Sequence, residues 1–149
     1  MIRKAEARDA EAFCNVIRTS IIELCGLDHK GNKDILDEWL ENKTVENCKN
    51  WILDECSNSF VAEKDGNIVG ISHIGINGHL FLCYVLPCVK GLGIGGKLLS
   101  AAENSVTDLG LMSISLQSTI TAKGFYEHYG YIGDAEIKNS LEYCKPIRQ

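Results

Sequence analysis

Four glycines fall within six positions at Gly91-Leu92-Gly93-Ile94-Gly95-Gly96, between an apolar run ending at Leu86-Pro87 and a helix-forming stretch that opens with Lys97-Leu98-Leu99. Glycine admits positive φ and lets the backbone come close to a ligand, while successive N–H groups and the positive end of the following helix face an anion. A strand-to-helix loop of this composition is suited to holding phosphate. Two nucleotide patterns touch the same residues, and both fail. Gly91, Gly93 and Gly96 satisfy G-x-G-x-x-G, but that fingerprint puts its first glycine at the strand end and an acidic residue about twenty positions later. Here four residues separate Leu86 from Gly91, and the next strand, over 111–117, carries no acid. Gly91 to Lys97 also fits G-x-x-x-x-G-K, yet Leu98 follows where a magnesium-binding hydroxyl is needed.

Read instead as Lys90-Gly91-Leu92-Gly93-Ile94-Gly95, the loop resembles the Q/R-x-x-G-x-G/A signature of the GNAT superfamily of N-acetyltransferases, which holds the pyrophosphate of acetyl-CoA. Lys90 stands where the family usually has Gln or Arg; it keeps the charge and gives up the planar fork of arginine. Tyr84-Val85-Leu86-Pro87 is similar to the family's strand end Y-V-x-P, and Gly93-Ile94-Gly95-Gly96-Lys97-Leu98-Leu99 to its helix start G-I-G-x-x-L-L. A second block, Ala122-Lys123-Gly124-Phe125-Tyr126-Glu127-His128-Tyr129-Gly130-Tyr131, resembles the late helix and strand A-x-x-F-Y-x-x-x-G-F/Y. The order and spacing of the blocks extend the resemblance from about residue 2 to 145. Thr119 replaces an asparagine that many members carry seven residues before the helix tyrosine, and its hydroxyl can still cap the helix.

Composition narrows the alternatives. At 149 residues, with 45% apolar and 23% charged side chains, the chain is expected to form one domain over 1–149. A net charge of −5 and the lack of a Lys/Arg cluster argue against a nucleic-acid partner. The opening Met1-Ile2-Arg3-Lys4-Ala5-Glu6 has no signal-peptide core, and no run approaches eighteen apolar residues, so a cytoplasmic protein with no membrane partner is expected. Seven scattered cysteines without C-x-x-C read as reduced thiols, mostly core filler, and give no metal site. Homodimer assembly is left open.

Hydrophobic periodicity orders the elements as a short strand over 2–5 and a helix capped by Asp9 carrying Ala12, Phe13, Val16, Ile17, Ile21 and Leu24. A polar break over 26–33 and helices over 34–42 and from Thr44 follow. Asp65-Gly66 and Asn77-Gly78 are hairpin signals separating strands over 60–64, 68–76 and 79–86. A helix over 95–109, a strand over 111–117, a helix over 121–129 and short strands near 132–136 and 141–144 complete a mixed α/β pattern. The resemblance implies a GNAT-like acyl-CoA N-acyltransferase fold: a central, mostly antiparallel sheet flanked by helices, whose fourth and fifth strands splay apart around the pantetheine arm.

The resemblance also implies an N-acetyltransferase that moves the acetyl group of acetyl-CoA to a primary amine of a small molecule or peptide by direct attack in a ternary complex. Main-chain groups of Cys83, Tyr84 and Val85 would bind the acetyl carbonyl and pantetheine, with Lys90 and the main chain of Gly91, Leu92, Gly93, Gly95 and Gly96 around the pyrophosphate. Tyr126 stands where the family has the tyrosine that protonates the leaving thiolate; the bland alternative is a tyrosine that only packs, as is expected of Tyr129 and Tyr131. His79 occupies an offset where some members carry a catalytic glutamate, and an imidazole can take a proton near neutrality. Strand alternation places His79, Phe81, Cys83 and Val85 on one face. A water chain or Glu23 remains an alternative base. His73, between Ile71 and Ile74, reads as a buried structural histidine, and His128 as solvent-facing. Glu23 and Asp28 are candidate holders of an acceptor ammonium. A non-catalytic acyl-CoA-binding module on the same fold is the other functional class.

Overall fold

The computed structural model describes residues 1–134 and 136–147. Its elements are β1 (Ile2–Lys4), α1 (Ala10–Leu24), α2 (Gly26–His29), α3 (Lys33–Leu40), α4 (Val45–Leu53), β2 (Ser57–Lys64), β3 (Asn67–Gly75), β4 (His79–Val85), α5 (Ile94–Val106), β5 (Ser113–Gln117), α6 (Lys123–His128), β6 (Ile132–Gly133) and β7 (Glu142–Pro146). The strands form one seven-stranded sheet in the order β1-β2-β3-β4-β5-β7-β6. Each neighbouring pair is antiparallel except β4 and β5, which run parallel and pair only at His79↔Ser115 and Leu80↔Leu116. Beyond those two residues the strands part, as the resemblance implied. The strand expected over 132–136 is present at Ile132–Gly133, and residue 135 lies outside the described residues.

Helices cover both faces. Phe13, Val16, Ile17 and Ile21 of α1 pack with Cys48 and Ile52 of α4 on Val61, Ile71 and Leu82. On the other face Leu99, Ala102 and Val106 of α5 meet Ile74, Leu80, Ile114 and Leu116. Among the described residues no helix is long and apolar enough to cross a membrane.

Local chemistry departs from expectation at three points. Asp9 does not cap α1 with its side chain; a 3-10 turn over Ala7–Asp9 precedes the helix, and the Asp9 carboxylate accepts the Glu6 N–H at 2.7 Å and both Arg3 NH groups at 2.8 and 2.9 Å. The polar break holds α2, fixed by a buried His29 whose Nδ1 accepts the Gly31 N–H at 2.9 Å while Nε2 lies 3.2 Å from the Ile22 carbonyl. Only Cys14, Cys25 and Cys48 of the seven free thiols are buried, while Cys56, Cys88 and Cys144 are exposed, so core filling explains fewer than half.

The correction that matters for function lies in β4. Its register to β3 passes from His73↔Leu82 to Ile74↔Leu80, which leaves Phe81 as an extra, bulged residue. A bulge reverses the facing pattern on its far side. Leu80 therefore packs against α5 although Leu82 packs against α1. The expected single face of His79, Phe81, Cys83 and Val85 is overturned: Cys83 and Val85 face α5, and His79 faces the α1 side with Leu82 and Tyr84.

Candidate active site

The glycine loop leaves β4 through Leu86 and a 3-10 turn at Pro87–Val89, and enters α5 with Gly93 as its N-cap. Gly91 and Gly93 adopt φ of +85° and +81°, values that a side chain would strain. A Cβ on Gly95 would lie 3.1 Å from the Phe125 ring, and one on Gly96 would lie 2.1 Å from the Tyr129 hydroxyl. The loop and α6 thus close on one another with no room for side chains in the first turn of α5.

A cavity of about 440 Å³ starts at this loop and runs along β4 toward the segment that follows β5. Lys90, Gly91, Gly93, Gly95 and Gly96 line its loop end; Cys83, Tyr84 and Val85 line its strand wall. Leu92 is not part of that lining: its side chain is 56% exposed, and its N–H donates to the Val89 carbonyl at 3.2 Å. The sheet register decides which β4 groups are free. Leu86 N–H donates to the Val69 carbonyl at 2.8 Å, so by antiparallel alternation the N–H of Tyr84 also points at β3, whereas those of Cys83 and Val85 point into the gap. Ser20 of α1 gives its hydroxyl hydrogen to the Val85 carbonyl on the gap side.

Tyr126 stands behind this wall. It is 7% exposed and packs edge-on to Phe125 and Tyr131, with ring centroids 5.1 and 5.7 Å away. Burial raises its phenol well above the ordinary value, as does the nearness of Cys83 and Tyr84, and its ring stands behind the cavity lining rather than in it. Burial also pushes the Cys83 thiol up to about 12 and the Cys25 thiol up to about 11, so neither wall cysteine is a thiolate at neutral pH. Tyr129 lines the cavity, which its expected packing role did not foresee, and His128 is exposed yet borders the cavity.

A second cleft of about 420 Å³ opens on the α1 side of the same gap, and Tyr84 and Thr119 line both spaces. His79 lies in this second cleft, half-buried, with Nδ1 2.9 Å from the Ser115 hydroxyl and its ring edge-on to Phe81 at 4.8 Å. Thr119 does not cap α6 itself, whose N-cap is Ala122 with no side-chain cap; its hydroxyl accepts the Ala122 N–H at 3.1 Å within the turn that precedes the helix. Asp28 does not hold its carboxylate open for an ammonium: Ile120 N–H, Thr121 N–H and the Thr121 hydroxyl donate to it at 2.6, 3.2 and 2.7 Å. Glu23 is exposed and lines neither space. His73 is buried with Nδ1 2.5 Å from the Ser59 hydroxyl, as its isoleucine neighbours implied. Sequence reasoning missed Ser20 and Leu24 of α1, Cys25 at its C-cap and Trp39 of α3, because nothing local marks such residues as facing a cavity.

Comparison of the sequence with curated proteins finds no match. Among solved structures, a GCN5-related N-acetyltransferase from Rhodopseudomonas palustris superposes with a TM-score of 0.85 at 18% identity, over 98% of this chain and 94% of that one. PaiA N-acetyltransferase from Thermoplasma acidophilum, in complex with coenzyme A, gives 0.82 at 20% identity over 98% of each chain. A GNAT family acetyltransferase from Brucella melitensis, in complex with acetyl-CoA, gives 0.67 at 21% over 100% of this chain and 88% of that one. These likenesses show the fold. The family model described as an acetyltransferase (GNAT) domain matches residues 27–140, most of the sequence, and the chain therefore belongs to the GNAT acetyltransferase family.

Proposed function

We propose that this acyltransferase is an N-acetyltransferase that moves the acetyl group of acetyl-CoA to a primary amine by direct attack within a ternary complex. The observation that carries the reading is the pair of spaces that meet at Tyr84 and Thr119, one running to the glycine loop and the other opening on the α1 side. The first suits a long thioester with an anionic end, and two similar structures hold CoA or acetyl-CoA. Lys90 supplies a cation beside main-chain N–H groups at the helix N-terminus.

The chemistry assigned to each residue follows from position. The gap-facing N–H groups of Cys83 and Val85 polarise the acetyl carbonyl. The amine nitrogen forms its bond to that carbon as the carbon–sulfur bond breaks. Tyr126, protonated because burial raises its phenol, gives its hydrogen to the departing thiolate, and the second proton that the nitrogen sheds as it becomes an amide restores the phenol. His79 takes the surplus ammonium proton at Nε2, which requires Nδ1 to carry hydrogen and donate to Ser115. The neutral wall thiols leave no cysteine nucleophile for a covalent intermediate.

Binding tests the site. Acetyl-CoA is expected to raise the melting temperature of the wild type, and Gly93→Asp, which adds bulk and like charge at a φ of +81°, is expected to remove the shift. An undiminished shift in Gly93→Asp places the cofactor elsewhere. NAD and ATP are the comparison ligands and are expected to give little shift.

A further inference from the structure

The cleft on the α1 side has aromatic walls, Trp39, Phe81 and Tyr84, and is lined as well by Asp28, Lys43 and His79, of which Lys43 also borders the adjoining cavity behind Phe81. Asp28 is covered by its three donors from residues 120 and 121. Lys43 stands in contrast. It lies just beyond α3, half-buried, and its Nζ donates to the neutral Asn42 Oδ1 at 2.6 Å. Among the described residues no carboxylate is within ion-pair distance of it. Burial lowers its pKa below the ordinary lysine value, and no carboxylate offsets that effect. Asp54, in the adjoining cavity behind Phe81, accepts the Cys56 N–H instead. Lys43 is thus a partly desolvated ammonium with two hydrogens left to give, set in the wall of a ligand-sized cleft.

We propose that the acceptor cleft selects primary amines that carry a carboxylate on an apolar or aromatic body, with Lys43 holding the carboxylate and Trp39, Phe81 and Tyr84 flanking the body. The amine then sits toward Tyr84 and Thr119, where the two spaces meet. A polyamine is disfavoured, since a second ammonium would enter a cleft whose open charge is already positive and whose carboxylate is covered. The inference rests on the acetyltransferase reading for the purpose of the cleft, but its binding claim stands alone.

Two measurements separate those layers. In the first, thiol release from acetyl-CoA gives kcat/KM for L-phenylalanine against phenethylamine and for 4-aminobutyrate against spermidine, at equal free-amine concentration. The carboxylated member is expected to lead by about tenfold, the scale of one added charge-assisted hydrogen bond. The lead falls toward one in Lys43→Gln and largely returns in Lys43→Arg. In the second, calorimetry with excess CoA compares N-acetyl-L-phenylalanine with N-acetylphenethylamine, needing no turnover, and the same preference and the same dependence on Lys43 are expected. Lys43-dependent binding of the carboxylate without acetylation of any amine would sink the transferase reading and leave the cleft assignment standing. Preference for spermidine or phenethylamine, a ratio unchanged in Lys43→Gln, or no binding of N-acetyl-L-phenylalanine overturns the proposal.

Discussion

At the scale of single residues, burial sets the protonation that the chemistry needs. Tyr126 and Tyr84 are both held above the ordinary phenol value chiefly by burial, so each keeps its hydrogen across the neutral range. Only Tyr126 combines that with the motif position. Tyr126→Phe is expected to lower kcat by about a hundredfold or more with acetyl-CoA affinity nearly unchanged, the range of general acid catalysis. An unchanged kcat returns Tyr126 to packing. His73 has the opposite consequence, for stability. Burial pulls its imidazole from 6.5 to about 4. Below pH 6.5 the unfolded chain takes up a proton that the folded chain refuses until about pH 4. Folding is therefore weakened as pH falls through that window, by up to about 3 kcal/mol, and unaffected above it. Urea midpoints measured from pH 7 to 4.5 should fall for the wild type and fall less steeply for His73→Gln; parallel slopes would contradict the assignment.

At the scale of elements, β4 decides what reaches the gap. Its hairpin with β3 was legible in Asn77-Gly78, and the structure shows why glycine is needed there: φ is +87°, and a Cβ would lie 2.9 Å from the Ser113 carbonyl of β5. Gly78→Ala is expected to cost about 1–3 kcal/mol and to loosen the short β4–β5 pairing, read as a lower urea midpoint. A midpoint within error of wild type would mean that the turn relaxes freely. The bulge at Phe81 left no mark in the sequence, because Leu80-Phe81-Leu82-Cys83 is apolar throughout and carries no alternation whose break could be seen. The glycine loop, by contrast, was readable because backbone chemistry needs a residue type there, and only Leu92 of its expected contacts stands off the cavity.

At the scale of the whole molecule, the candidate site is assembled from distant segments. Asp28, Trp39 and Lys43 come from the segment between β1 and β2, His79 to Tyr84 from β4, and Thr119 from the loop after β5. Asp28 ties the first of these regions to the last across more than ninety residues of chain. No local pattern signals such a contact, which is why the glycine-loop end of the candidate site was legible in the sequence and the cleft on the α1 side was not. A second opening beside the first, with Tyr84 and Thr119 lining both, is a feature that the enzyme reading needs and a module that merely binds CoA does not. The most direct test is the initial rate of CoA thiol release from acetyl-CoA, with and without a primary amine, accompanied by the mass of the amine product. The account predicts release that depends on the amine and matches, mole for mole, an amine heavier by one acetyl group. Tight acetyl-CoA binding with no amine-dependent release across amino acids, polyamines, aryl amines and peptides would contradict it and leave a binding module in its place.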